Sequence, residues 1–362
     1  MISVTQPIPL GARTKRRRMR DASSLWLAVP LVLAVGVRGD TRDTSTYIDI
    51  FRSTIQFPAN LLDYYAEFGV EWGFGLLSWL LGGMGLGPTT LFVIVSAATF
   101  FFIERTAHRL GITFYAVMPY YLGSFFLTQQ LMQIRQGLGV AFAFWVLVRF
   151  ALSTSGPVRL AMGAGAASLI HMVAVIPLLG ASLVRLTLPA PQQWRIVSWA
   201  VVLIAVSIVL AHAVSTLQVF GLFERLSIYA ADEEYSSARG LFDLANVRAV
   251  LVLALFLSAC TARSLARSRV FLLLLGLYAA HVGIRLGFID FQILSGRLST
   301  ALGFAEVFLL PMTVHACIRP RALRMLLGAA YLFVHGFATL AVQAPFLIDD
   351  YFTPLHADYA AR

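Results

Sequence analysis

Charge is what this chain has least of: 13% of its 362 residues are Asp, Glu, Lys or Arg, about half the share of an average soluble domain. That excludes an ordinary soluble protein. Cysteine is scarce as well. The two cysteines, Cys260 and Cys317, lie inside apolar blocks and bracket no loop, so no disulfide framework is indicated and both read as small core residues. Neither a CxxC nor an HExxH spacing occurs, which argues against a structural zinc or a zincin site. With no Gly/Ser linker, heptad or fixed-period repeat, the chain reads as one integral domain.

What is present in excess is apolar side chain, 59% of residues with a mean hydropathy of +0.77. Length is therefore counted in membrane spans. Apolar blocks run approximately over 22–37, 72–86, 87–103, 112–128, 131–150, 159–184, 195–216, 246–262, 270–288, 298–318 and 325–346. They predict an all-α polytopic integral membrane protein of about 10–11 transmembrane helices, some of them broken or re-entrant. The basic stretch before residues 25–37 is followed by no small-residue cleavage site, so this block reads as an uncleaved first span. A net charge of +10 could suggest nucleic acid, but the 28 basic residues are scattered between apolar blocks and form no stripe for a phosphate backbone.

The charges orient the chain instead, because translocating Lys and Arg is disfavoured. The tail 1–21, with Arg13, Lys15, Arg16, Arg17, Arg18 and Arg20, is expected in the cytoplasm. Transmembrane residues 22–346 then carry acidic outer loops at 38–71 and 217–246, and 347–362 form an outer C-terminal tail. Strict alternation of all eleven blocks conflicts with this, since it places Arg105, Arg109, Arg149 and Arg159 outside. The conflict disappears if 72–103 crosses once, interrupted at Gly82–Pro88, and if 159–184 is broken around Pro177 and Gly180. Irregular backbone at membrane depth is tolerated only where protein buries it or where it lines a cavity. The repaired topology thus predicts a cavity, with Arg135, Arg285, Arg297 and the loop 38–71 on its outer side.

Ionisable groups in apolar segments cost at least about 2.5–3.5 kcal/mol on insertion scales and are functional candidates by default. Gln129, Gln130, Gln133, Arg135 and Gln136 form the strongest cluster. Gln133 and Gln136 at i, i+3 and Gln129 and Gln133 at i, i+4 would share a helical face, a donor-rich patch suited to a phosphate or a sugar. Two readings of Arg135 stay open, an anion ligand or a side chain snorkelling to the headgroups. His171 in SLIHMVAV is equally either functional or a hydrogen-bonded packing residue. Arg297 and Glu306 are nine residues apart and cannot pair along one helix, whereas Arg285 and Asp290 could form a structural ion pair. Glu71, immediately before Trp72, is placed where a carboxylate could act as a general base at a cavity mouth.

The order of RDTSTYIDIF (Arg42 to Phe51), EWGFGLL (Glu71 to Leu77), QIRQGLGVAF (Gln133 to Phe142), ASLIHMVAVIPLL (Ala167 to Leu179) and SGRLSTALGFAEVFLLP (Ser295 to Pro311) resembles the EpsG family of polysaccharide-biosynthesis membrane proteins. Trp72 stands where that family commonly has Pro, and Ile170 where Phe usually precedes the His. The resemblance implies a Wzy-type glycosyltransferase that joins undecaprenyl-diphosphate-linked oligosaccharide repeat units of an exopolysaccharide, capsule or O-antigen at the outer face of the bacterial inner membrane. Its motifs fall on Asp43, Thr44, Tyr47, Glu71, Gln133, Arg135, Gln136, His171 and Arg297. Of these, Glu71, Arg135 and His171 are the catalytic candidates and the rest would bind substrate. No DxD motif is present, so the implied enzyme is metal-independent and without a cofactor. Its partners would be the lipid-linked donor, membrane lipids and other polysaccharide-assembly proteins. Two rivals remain at this level. A flippase or other carrier would also need a broken helix and buried Arg, and a sugar acyltransferase could use His171 as its base.

Overall fold

A computed structural model describes residues 25–54, 69–151, 153, 156–216, 240–289 and 292–355. The tail 1–21, part of each acidic loop, Asp290 and residues 356–362 lie outside the described residues. Every regular element among those described is helical. After a 3-10 turn come α1 (Val29–Gly36), α2 (Thr44–Ser53), α3 (Trp72–Gly83), α4 (Pro88–Arg109), α5 (Phe114–Tyr121), α6 (Leu127–Leu131), α7 (Ile134–Phe150), α8 (Gly156–Ile170) and α9 (Val175–Leu186). They are followed by α10 (Gln193–Thr216), α11 (Leu244–Ala259), α12 (Arg263–Ala266), α13 (Arg269–Gly287), α14 (Gln292–Gly303), α15 (Glu306–Cys317), α16 (Arg321–Ala338) and α17 (Leu347–Phe352). Five segments, Pro88–Arg109, Gln193–Val214, Arg269–Gly287, Ser295–Cys317 and Arg321–Gln343, are long and apolar enough to cross a membrane, and shorter apolar helices accompany them. The chain is an all-α, multi-pass membrane protein.

Helices are the expected solution, since a spanning segment must satisfy its own backbone groups where no water is available. Lipid supplies no hydrophobic drive between helices, so close packing holds the bundle together. α4 packs along α7, and α10 along α13. On α13, Gly276, Gly283 and Gly287 leave room for the Trp199, Ile204 and Ala211 turns of α10. The centre of the bundle is aromatic: the Phe304 ring lies 5.2 Å from Phe125, 5.2 Å from Phe144 and 6.0 Å from Tyr121. Phe304 is fully buried in the gap between α14 and α15, so the break between those helices is filled with side chain.

The helices are interrupted where the charge pattern requires, though not always at the expected residue. α3 stops at Gly83 and α4 restarts at Pro88, with Gly85 at φ 73° in the turn between them. In the second interrupted block the break is at His171, in extended conformation (φ −162°, ψ 126°), and not at Pro177 or Gly180. Pro177 sits in the first turn of α9, where a missing N–H costs nothing. A third break falls just after the boundary between the apolar blocks 112–128 and 131–150, inside the glutamine-rich stretch. α6 ends at Leu131 and α7 begins at Ile134, so Gln129 and Gln133 do not share a continuous helical face.

One further expectation, that of two core cysteines, changes in the folded chain, and long-range contacts appear that the sequence does not show. Cys260 is buried but Cys317 is exposed, because α15 ends there. Arg285 donates from Nε to Asn246 Oδ1 at 2.6 Å. Glu306, 1% exposed, is paired with Arg248, and it also accepts from the Tyr331 and Tyr278 hydroxyls. Residues 347–355 dock as α17 and its C-terminal turn. Gly39 and Asp40 donate their backbone N–H to the Tyr351 and Thr353 carbonyls at 2.9 and 3.1 Å.

Candidate functional site

The site is assembled where three chain interruptions meet. Gly73 begins α3 so close to the end of α8 that a Cβ there would lie 2.6 Å from the Leu169 carbonyl oxygen. Gly139 on α7 similarly faces the Ala174 and His171 Cβ atoms at 2.9 and 3.2 Å. These two contacts hold the start of α3 against the end of α8, and the α8–α9 break against α7. The side chains at the three ends are Glu71, Arg135 and His171.

Glu71 joins the other two. Its Oε2 accepts from Arg135 Nη1 at 2.7 Å, and its Oε1 lies 2.6 Å from His171 Nδ1. The same Oε1 accepts from the Met172 backbone N–H at 3.1 Å, a donor left without a helical partner by the break. Glu71 is 8% exposed and stands just before α3. Burial pushes its carboxyl up, but the His171 hydrogen bond and the His171 and Arg135 charges outweigh this and hold it down at about 2. An ionised carboxylate only accepts, so the His171 proton sits on Nδ1 and Nε2 keeps its lone pair in the neutral ring.

The Arg135 guanidinium carbon lies 5.6 Å from the Tyr47 ring centroid and 5.8 Å from that of Phe74. The rings therefore support the cation while Glu71 orients it. Tyr47, on α2, is buried. Asp43 precedes α2. Burial raises its carboxyl above the ordinary value, opposed by the charges of Arg297, Arg135, Arg38 and Arg42. Four arginines thus act on Asp43, and one of them, Arg135, also pairs with Glu71. Thr44 is buried against Thr41, hydroxyl to hydroxyl at 2.6 Å. Gln136 donates from Nε2 to the Arg297 carbonyl at 3.2 Å and so ties α14 to α7. Gln133 immediately precedes α7. Arg297 is exposed on α14.

Sequence reading missed Arg38 and Thr41. Both serve the α6–α7 break: Arg38 Nη1 donates to the Gln130 carbonyl at 2.8 Å and Thr41 Oγ1 to the Leu131 carbonyl at 2.5 Å. The last carbonyls of an interrupted helix need such donors. The Arg38 guanidinium also stacks 3.7 Å above the Phe92 ring. An arginine directly after the first apolar block was the available signal, but it reads equally as a boundary residue. Among the described residues no group of three or more His, Cys, Asp or Glu is placed to hold a metal ion.

The EpsG family model matches residues 23–353, which takes in every element just described. The chain belongs to the EpsG family. Comparison with curated proteins and with solved structures gives no match. EpsG-family membership associates this membrane protein with exopolysaccharide polymerisation. The Glu71, Arg135 and His171 contacts link three of the segments on which the resemblance rested.

Proposed function

We propose that this EpsG-family protein is a polymerase that joins polyprenyl-diphosphate-linked oligosaccharide units, as in Wzy-type assembly, at the outer face of the bacterial inner membrane. The observation that carries the reading is the Arg135–Glu71–His171 chain of contacts, 2.7 and 2.6 Å long. In the reaction, His171 Nε2 takes the proton of the attacking sugar hydroxyl. The new glycosidic C–O bond forms as the anomeric carbon's bond to the diphosphate oxygen breaks, and the diphosphate leaves with the negative charge. Glu71 stabilises the imidazolium and fixes the tautomer, the role of the buried carboxylate in acid–base dyads. Its lowered pKa makes Glu71 itself a weak base. Arg297 and Arg135 supply positive charge to the departing diphosphate, and Asp43 with Tyr47 and Gln133 positions sugar hydroxyls.

The orientation rests on the charge pattern. Of the 18 acidic residues, all but Asp21, Glu104 and Glu306 fall at outer or outer-edge positions in the repaired topology. Analysis of lipid-linked intermediates in cells carrying His171→Gln tests the function. The expected result is single repeat units outside and no polymer. Units retained inside would indicate a flippase, polymer of altered decoration an acyltransferase, and polymer of ordinary length would overturn the assignment of His171.

A further inference from the structure

A cavity lies at the other end of α4 from this site. Phe92 stacks on Arg38, whereas the cavity is lined by Glu104 and His108, at least twelve residues or about 18 Å further along the helix. Its volume is about 910 Å³. It lies beside the turn at 110–113, between α5, α15 and α16.

Its lining is graded. At the helix ends stand His108, His315, Arg321 and Arg324; deeper come Pro119, Tyr120 and Leu332. From Arg321 to Leu332 is eleven residues of α16, about 16 Å, a depth that runs from headgroup level well into the hydrocarbon. Glu104, the acid in the lining, is buried and has Arg105 at 3.8 Å. Tyr115 and Met325, also lining residues, are 55% and 65% exposed, so one wall opens sideways on the apolar, outward face of α16. A slot with cations at its mouth, an apolar floor and a lateral opening matches an amphiphile with an anionic head and a hydrocarbon chain.

We propose that this slot binds an anionic phospholipid, with Arg321 and Arg324 on the phosphate and one acyl chain along Pro119, Tyr120 and Leu332. The proposal does not depend on the reaction assigned to the Glu71 site, which lies at the opposite end of α4. The test is native mass spectrometry of the full-length protein released from detergent containing phosphatidylglycerol, phosphatidylcholine, undecaprenyl phosphate or inorganic phosphate. Phosphatidylglycerol is expected to be retained in preference to the other three. Arg321→Ala with Arg324→Ala should lower its retention roughly 10- to 30-fold. Ala329→Trp, which fills the slot and keeps both arginines, should lower it as well. Equal retention of phosphatidylcholine, preference for undecaprenyl phosphate, equal occupancy by inorganic phosphate, or indifference to both variants would each overturn the proposal.

Discussion

The Glu71 carboxylate meets His171 Nδ1 at 2.6 Å although 100 residues of chain separate them. Neither residue is near a charge of opposite sign in its own segment. The pair exists because the α8–α9 break turns both the imidazole and the Met172 N–H toward the start of α3.

Replacing His171 by Gln keeps a polar side chain of similar size but no base. Polymerisation should fall roughly 10²- to 10⁴-fold, with the protein still folded by circular dichroism and thermal unfolding. Retained activity in a purified assay with lipid-linked donor would remove His171 from the proton-transfer step.

Arg135→Lys should not be conservative. Lysine keeps the charge but loses the planar surface that lies against Tyr47 and Phe74, and the fixed geometry of its N–H donors. We expect at least about a tenfold loss of activity. Because Arg135 and His171 both act on Glu71, Arg135→Gln combined with His171→Gln should cost much less than the product of the single losses. Multiplicative losses in that cycle would argue for independent roles.

The Glu71 carboxyl is held at about 2, below its ordinary 4.5. A depressed pKa contributes stability that is present above about 4.5 and is lost as pH falls toward 2. Unfolding temperatures of the wild type and Glu71→Gln in detergent should therefore differ most at about pH 7, draw together below about pH 4.5 and converge only as the pH approaches 2. A gap of constant size across that range would count against the ionised carboxylate.

Gly73→Ala places a methyl group 2.6 Å from the Leu169 carbonyl oxygen. Main chain cannot yield as a flexible side chain would, so α3 must shift and carry Glu71 away from His171. Activity should drop severely, while Gly83→Ala, at a position with open space around it, leaves activity near wild type. Equal effects of the two substitutions would mean that the close approach of α3 and α8 is not needed.

The Arg248–Glu306 pair makes a separate prediction about stability. Glu306→Leu alone leaves Arg248 facing the Tyr278 and Tyr331 hydroxyls with its counter-charge removed, which should cost about 3–5 kcal/mol. Glu306→Leu with Arg248→Met should recover most of that loss in thermal unfolding. A double variant no more stable than Glu306→Leu would assign the cost to the tyrosine hydrogen bonds.

By itself, the sequence determined the class of protein and which residues were worth suspecting. Scarce charge and long apolar blocks leave helices as the only way to satisfy a backbone in lipid, and the arginines that contradict simple alternation reveal that some blocks are interrupted. Arg135 and His171 stand out because each is costly where it lies, and Glu71 because it stands at the entry to an apolar block. Which of them touch, and in what order, only the tertiary structure decided. The break at His171 and the gap between Leu131 and Ile134 carry no local breaker at the interrupted residue; they are held by partners from elsewhere, Glu71 accepting the Met172 N–H and Arg38 and Thr41 donating to the α6 carbonyls. The pairing of Glu306 with Arg248 was hidden likewise, because a contact across 58 residues leaves no periodicity to read. Local sequence sets what a segment cannot leave unsatisfied, and long-range packing chooses the partner.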